Sequence, residues 1–207
     1  MKKIILIGST GKMGQMIKKS LPKSIHIIDE INSEQQKISN IFCDAAIDFS
    51  NPIATNKYAP IFISNKIPYI CGTTGLTKNT IDLLKKLTQY HQTHFTLLPS
   101  FDPEFYKICD FIKTINCKKI IIEEFHNKTK KDIPSGCAAY IKKIYSYIPV
   151  TIISNRQDIK FFRHIITLIL DNKRISINYE VFDRKIYIAG ILKALEKISF
   201  NGFVERL

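Results

Sequence analysis

The sequence predicts an α/β chain, with an N-terminal doubly wound parallel sheet followed by a smaller α+β domain that carries a mostly antiparallel sheet. Three observations predict it. Strand and helix patterns alternate up to about residue 100. A glycine loop joins the first strand to the first helix. Beyond residue 100, runs of strands with hairpin-like links such as Asp171-Asn172-Lys173 replace the alternation.

Lys2 to Ile7 is a continuous aliphatic stretch, as a parallel strand buried on both faces requires. Lys12 to Leu21 follows with Met13, Ile17 and Leu21 at helical spacing, and Pro22 ends that helix. Ser24 to Ile28 reads as a second strand, closed by Asp29-Glu30. Ala45–Phe49, Pro68–Cys71 and Phe95–Leu98 are further strands, and Lys78–His91 is a helix. Ile53 to Ile63 has helical character, with Pro60 expected to kink or interrupt it. In the second half, Phe101–Thr114, Gly136–Tyr147 and Ile186–Ile198 read as helices. Lys119–Glu124, Val150–Ser154, Asp158–Ile166, Leu168–Leu170 and Arg174–Phe182 read as strands. No repeat or flexible linker separates the two domains, so short hinges join them.

The 207 residues are 45% hydrophobic and 24% charged, enough to bury a core in two small domains. No apolar run is long enough to span a bilayer, and Ile4-Ile5-Leu6-Ile7 is too short for a signal peptide. A cytoplasmic protein is expected. The five cysteines form no CxxC pair, which argues against disulfides and against a metal site and for reduced, buried thiols. The net charge of +13 comes from lysines spread thinly along the chain. A nucleic-acid binder would cluster them, so no nucleic-acid partner is expected, although the balance suits anionic small ligands.

Gly8, Gly11 and Gly14 follow a buried strand and open a helix. That is the context of a dinucleotide-binding fingerprint in a Rossmann-type sheet, here spaced GxxGxxG. The glycines permit a tight turn and close backbone approach, and the helix N-terminus offers N–H groups to a pyrophosphate. Ser9 and Thr10 add hydroxyls. Asp29 lies about 20 residues past the first glycine, where a carboxylate accepts from the adenosine ribose hydroxyls and repels a 2′-phosphate. It favours NADH over NADPH. Asp48-Phe49-Ser50 and Gly72-Thr73-Thr74-Gly75 sit at strand ends on the ligand-binding edge of the sheet, as a nicotinamide site or as ordinary turns.

The densest chemistry runs from Glu123 to Ala138. His126, read as following a strand, can deliver a proton near neutral pH. Lys130 supplies a second donor or a fixed charge, and Pro134-Ser135-Gly136 opens a helix suited to holding a carboxylate.

These segments together resemble the 4-hydroxy-tetrahydrodipicolinate reductase (dihydrodipicolinate reductase) family of diaminopimelate and lysine biosynthesis. The family carries G-x-x-G-x-M-G, D-F-[ST], G-T-T-G and E-x-H-H-x-x-K-x-D-x-P-S-G-T-A, and the resemblance spans nearly the whole chain. It implies a homotetrameric reductase that uses NADH or NADPH on a small dicarboxylate. His126 and Lys130 match the catalytic histidine and lysine. Asn127, Lys130, Ser135, Gly136 and Cys137 fall at the substrate-holding positions. The cofactor would meet Gly8, Thr10, Gly11, Lys12, Met13, Gly14, Asp29, Phe49, Gly72, Thr73, Thr74, Ser100, Phe101 and Arg184. Residues 1–100, completed by about 184–207, would form the dinucleotide-binding domain. Residues 101–183 would bind substrate and make the oligomer through an open sheet, and closure of the domains would exclude water.

The chain departs from the family where Asn127 replaces a second histidine and Cys137 a threonine. Leu98 to Tyr106 loses two asparagines and a glycine, and the stretch between Asp29 and Asp48 is short. A non-catalytic NAD(P)-binding sensor is the alternative reading.

Overall fold

Ile4, Ile5, Leu6 and Ile7 are fully buried on an interior strand of a six-stranded parallel sheet, as their unbroken aliphatic run requires. The computed structural model describes residues 1–39, 41–199 and 201–206. It divides into two units, Met1–Pro103 with Lys185–Leu207, and Glu104–Arg184. In chain order the elements are β1 (Lys2–Ile7), α1 (Lys12–Ser20), β2 (Ile25–Ile31), β3 (Ala45–Asp48), α2 (Pro52–Ser64), β4 (Tyr69–Cys71), α3 (Lys78–His91) and β5 (His94–Leu97). There follow α4 (Pro103–Lys113), β6 (Lys119–Asn127), α5 (Gly136–Ile144), β7 (Val150–Gln157), β8 (Phe162–Ile169), β9 (Arg174–Val181), α6 (Ile186–Glu196) and β10 (Gly202–Val204).

The sheet of the first unit has the order β10-β5-β4-β3-β1-β2, with every neighbouring pair parallel. One of its faces packs Ile5, Ile7, Tyr69 and Phe95 against Tyr58, Phe62 and Ile63 of α2 and Leu84 of α3. Each fully buried side chain of this kind contributes about 1.5–3 kcal/mol. That explains α2, which runs unbroken through Pro60 instead of stopping there. A proline inside a helix costs about 3 kcal/mol. The burial of Tyr58, Ala59, Phe62 and Ile63 outweighs it, and the start is well made. Asn51 caps it by accepting from Ala54 N, and Pro52 takes the first turn, where no N–H is needed.

Two further differences from expectation move site residues. β2 continues past Ile28 to Ile31, because Asp29, Glu30 and Ile31 pair in register with Ile5, Leu6 and Ile7. Asp29 therefore lies within the strand and not at its end. β10, which the sequence pattern did not suggest, adds an edge strand beside β5. The last helix also ends at Glu196 and passes into a 3-10 turn at Lys197–Ser199.

The second unit carries a four-stranded sheet of order β7-β6-β8-β9. β6 and β7, linked through α5, are parallel, and the other pairs are antiparallel. β6 extends to Asn127, so His126 sits inside a strand and not after it. β8 is one strand where the sequence suggested two, and Asp158 to Phe161 is the link that leads into it. Along β6 burial alternates strictly, with Ile120, Ile122, Glu124 and His126 on the buried face.

Candidate active site

In the first unit the glycine loop is built by backbone geometry. Gly8 has φ +83°, and its N–H donates to Ile31 O at 2.7 Å, tying the loop to the end of β2. A Cβ on Gly14 would collide with the backbone of Gly8 and Ser9, and one on Gly8 would lie 2.5 Å from Phe49 O. The loop thus presses directly on the Phe49-Ser50 turn. Gly72 is equally constrained, because a Cβ there would strike the Phe49 ring, which also lies 4.9 Å from the Phe101 ring. Gly8, Phe49, Gly72 and Phe101 are therefore brought together. Gly11 precedes α1 without a side-chain cap, so no side chain takes up the first N–H groups of that helix, and they are available to an anion. Lys12 and Met13 form its first turn, exposed and half-buried respectively.

A cavity of about 470 Å³ opens along this edge, lined by Gly8, Thr10 and Gly11, by Asn32, Ser33 and Gln36, and by Phe49, Ser50, Ala54 and Lys57 among others. Its size and glycine floor fit the adenosine and pyrophosphate portion of a dinucleotide. Ser9 is fully buried, and its hydroxyl takes a hydrogen bond from Asn32, so only Thr10 of that pair faces the cavity. Asp29 does not reach the cavity. Its carboxylate accepts from Glu30 N, Gln35 Nε2 and Ser39 N at 2.8–2.9 Å and closes the following loop. Asn32, the first residue past β2, occupies the place expected of Asp29 and was missed because the strand runs on to Ile31. Held in that loop, the Asp29 carboxylate does not select NADH over NADPH.

The buried Asp48 joins the two loops at the strand ends. It accepts from Ser50 Oγ and Thr55 Oγ1 at 2.5 Å, from Tyr69 Oη at 2.7 Å and from Thr73 Oγ1 at 3.2 Å. Thr73 is thereby an anchor of its loop, while Thr74 beside it is half-buried. Ser100 is buried and accepts from Asp102 N at 3.2 Å.

In the second unit, His126 is 7% exposed and stacks on Phe162, with ring centroids 5.5 Å apart. Its Nε2 has no hydrogen-bond partner among the described residues and lies 3.9 Å from Glu124 Oε2. Glu124 accepts from Ser135 N, from Ser154 Oγ at 2.7 Å and from Arg156 Nη2 at 3.1 Å. Arg156 in turn donates to the carbonyls of Lys130 and Asp132, and Lys130 Nζ pairs with Asp132 at 2.8 Å. One buried carboxylate thus ties β7, the start of α5 and the Lys130 loop to the strand that carries His126. Ser135 caps α5 by accepting from Ala138 N and touches His164 Nε2 at 3.1 Å, so its side chain serves the scaffold. Gly136 and Cys137 form the first turn of α5. Asn127 is engaged as a turn former, donating to Ile159 O and accepting from Thr129. Arg184 is half-buried at the end of this unit. Glu124 opens the E-x-H-H motif but was given no role, and Arg156 and His164 lie outside every motif. The signal that could have found two of them was a polar residue in the buried phase of an otherwise apolar strand.

Burial drives the His126 imidazole down to about 3, with the positive charges of His164 and Lys130 adding to the effect. His164 is pushed down to about 4, again chiefly by burial. Burial tends to raise the Glu124 carboxyl, but hydrogen bonds from Ser135 and Ser154 outweigh it and hold it below the usual value. Both imidazoles are neutral in the free protein. Unfolded histidine titrates near 6.5, so above that pH the pair adds no pH dependence to stability. Between about 6.5 and 4 the unfolded chain binds more protons, and stability is lost as pH falls. The urea midpoint should drop across that window, and His164→Gln should flatten the drop.

A parallel sheet with a glycine-loop cavity, together with a unit presenting a buried imidazole beside a lysine and a helix start, defines a dinucleotide-dependent oxidoreductase. The comparisons with known proteins agree. The family model described as dihydrodipicolinate reductase, N-terminus, matches residues 2–99, and its C-terminus counterpart matches residues 105–205. The chain belongs to the dihydrodipicolinate reductase family. It is 26% identical over 229 residues to the 4-hydroxy-tetrahydrodipicolinate reductase of Wigglesworthia glossinidia brevipalpis, covering 93% of this chain and 86% of that one. The protein of the same name from Rickettsia rickettsii is 28% identical over 215 residues, covering 91% and 90%. Among solved structures, a dipicolinate-bound dihydrodipicolinate reductase from Paenisporosarcina sp. TG-14 aligns with a TM-score of 0.76 at 15% identity, covering 100% of this chain and 98% of that one. A probable dehydrogenase from Thermotoga maritima aligns at 0.71 with 11% identity, covering 98% and 91%, and shares the fold.

Proposed function

We propose that the protein reduces 4-hydroxy-tetrahydrodipicolinate to tetrahydrodipicolinate in the diaminopimelate and lysine pathway. NAD(P)H and a proton are consumed, and NAD(P)⁺ and water are released. The observation that carries this reading is His126, buried with an unpartnered Nε2 beside Lys130 and the start of α5, in a chain of this family. The unit Met1–Pro103 with Lys185–Leu207 holds the nucleotide, with Gly8, Thr10, Gly11, Gly14, Phe49, Gly72, Thr74 and Phe101 around it. The cofactor supplies the hydride. The unit Glu104–Arg184 holds the dicarboxylate through Lys130 and the backbone of Gly136 and Cys137.

His126 is neutral in the free protein and therefore has no proton to give at once. A dicarboxylate arriving beside it brings negative charge that favours the imidazolium, opposing the burial that holds it neutral. His126 thus takes up its proton with the substrate and delivers it during turnover, while Lys130 balances the developing charge. Glu124 and Arg156 keep these groups in register.

The proposed location is the cytoplasm; among the described residues no helix is long and apolar enough to cross a membrane. We propose a homotetramer formed through the second sheet. The face opposite His126 carries half-buried Ile121, Phe125 and Ile165, with Ile153 46% exposed. Nothing in the site favours a non-catalytic sensor. A coupled assay with enzymatically generated substrate, run with NADH and NADPH side by side, tests the reading. Substrate-dependent cofactor oxidation is expected, and its absence with both cofactors would sink it.

A further inference from the structure

We infer that Glu124, His126 and His164 form a site for a divalent cation of the zinc class, and that its occupation arrests the enzyme by capping His126 Nε2. The three residues come from two neighbouring strands of one sheet. Glu124 and His126 stand two residues apart on β6 and share its buried face, and His164 on β8 is paired directly opposite Glu124. They are 0%, 7% and 1% exposed, and each offers a ligand atom within 4.8 Å of the other two. Glu124 Oε2 lies 3.9 Å from His126 Nε2 and 3.8 Å from His164 Nε2.

These side chains keep coordinating capacity toward one another. His126 Nε2 is buried without a hydrogen-bond partner among the described residues, an unusual state for a ring nitrogen. Glu124 Oε1 takes Ser154 Oγ and Arg156 Nη2, while Oε2 accepts from Ser135 N at 3.0 Å. The carboxylate is thus anchored through one oxygen, as ligating carboxylates are, and the other has a lone pair to spare. His164 Nε2 would release Ser135 Oγ, now at 3.1 Å, and that hydroxyl keeps its bond from Ala138 N. Two imidazoles and one carboxylate suit zinc or cobalt, whereas magnesium and calcium prefer oxygen alone. Ligand atoms around zinc are about 3.3–3.5 Å apart, so ring movements of about an ångström close the set. No cysteine joins it, so the lack of a CxxC pair does not bear on this site. Arg156 and the nearby Lys130 add positive charge, which holds affinity below that of a structural zinc.

The arrest rests on the proposed role of His126, whereas the site itself does not. The untagged full-length protein, treated with a chelator, is titrated with Co²⁺ and followed by visible absorption, with Zn²⁺ and Mg²⁺ as competitors. One Co²⁺ per chain should bind with the intense bands of a four- or five-coordinate ion, displaced by Zn²⁺ and not by Mg²⁺. His126→Gln and His164→Gln should each weaken Zn²⁺ at least about tenfold, a change of about 1.4 kcal/mol. His26→Gln, at an exposed histidine of the first unit, should leave it unchanged. In the coupled assay, with the coupling enzyme in excess, Zn²⁺ should inhibit over the range in which it binds, and a chelator should restore turnover. The weak spectrum of a six-coordinate ion in the wild type would overturn the inference whether or not the variants fold. So would unchanged Zn²⁺ affinity in both site variants, its loss in His26→Gln, or full turnover at saturating Zn²⁺. Absence of turnover in the metal-free protein would overturn the proposed reaction instead, and the Co²⁺ spectrum would still decide the site.

Discussion

His126→Ala should lower turnover by about 10²–10⁴-fold, the usual contribution of a positioned general acid, while leaving NADH and NADPH affinity within about threefold. The separation follows from position. His126 lies on β6 of the second unit, whereas the glycine-loop cavity belongs entirely to the first. Its Nε2 has no hydrogen-bond partner among the described residues, so truncation leaves no partner stranded. The lost stack on Phe162 leaves a small void, and His126→Gln fills more of it. Both variants should be folded and slow. Single-turnover kinetics and cofactor titration check the pair, and a turnover near wild type in either variant would remove His126 from the reaction.

Gly14→Ala should abolish dinucleotide binding or prevent folding of the first unit. The added Cβ meets the backbone of Gly8 and Ser9, which no side-chain rotation relieves. Either α1 moves off the loop or the loop opens, and both destroy the N–H cradle. Overpacking alone costs about 1–3 kcal/mol, and a backbone collision belongs at or above the upper end of that range. Gly11→Ala is the graded control, because its Cβ would lie 3.3 Å from Gly8 O, a contact that a small shift accommodates. Thermal midpoints and NADPH titrations should rank wild type, Gly11→Ala and Gly14→Ala in that order. Comparable behaviour of the two variants would mean that the close approach of α1 to the loop does not set affinity.

Both fold class and family were legible in the sequence because their signals are local. The Ile4 to Ile7 run, the three glycines and the Lys78 to His91 periodicity each specify an element without reference to distant residues. What was not legible depends on strand pairing. The reach of β2 to Ile31 is set by its register with β1, and that single extension moves Asp29 away from the cavity and puts Asn32 there. The lengthening of β6 to Asn127 similarly follows from its pairing with β7, while its pairing with β8 sets Glu124 opposite His164. Asp48 was noticed as part of a loop motif. Its four side-chain donors come from β4, α2 and two loops, and no linear pattern announces them.

The residues proposed to face the substrate divide in the same way. Lys130 and the start of α5 were visible as a motif, whereas Arg156, which holds the Lys130 loop by two carbonyls, lies 26 residues from Lys130 along the chain. Asn127 and Ser135 were read as substrate contacts, and their side chains are engaged by Ile159 and Thr129, and by Ala138 and His164. The dicarboxylate would then depend mainly on Lys130 and on backbone N–H groups.

The central claim is a hydride transfer from a nicotinamide cofactor to this family's substrate. The most direct measurement supplies NADH or NADPH carrying deuterium at the transferable position, with enzymatically generated 4-hydroxy-tetrahydrodipicolinate, and weighs the product by mass spectrometry. One deuterium in tetrahydrodipicolinate for each cofactor oxidised is the expected result. Cofactor oxidation that leaves the product unlabelled, or no oxidation on adding substrate, would contradict the account.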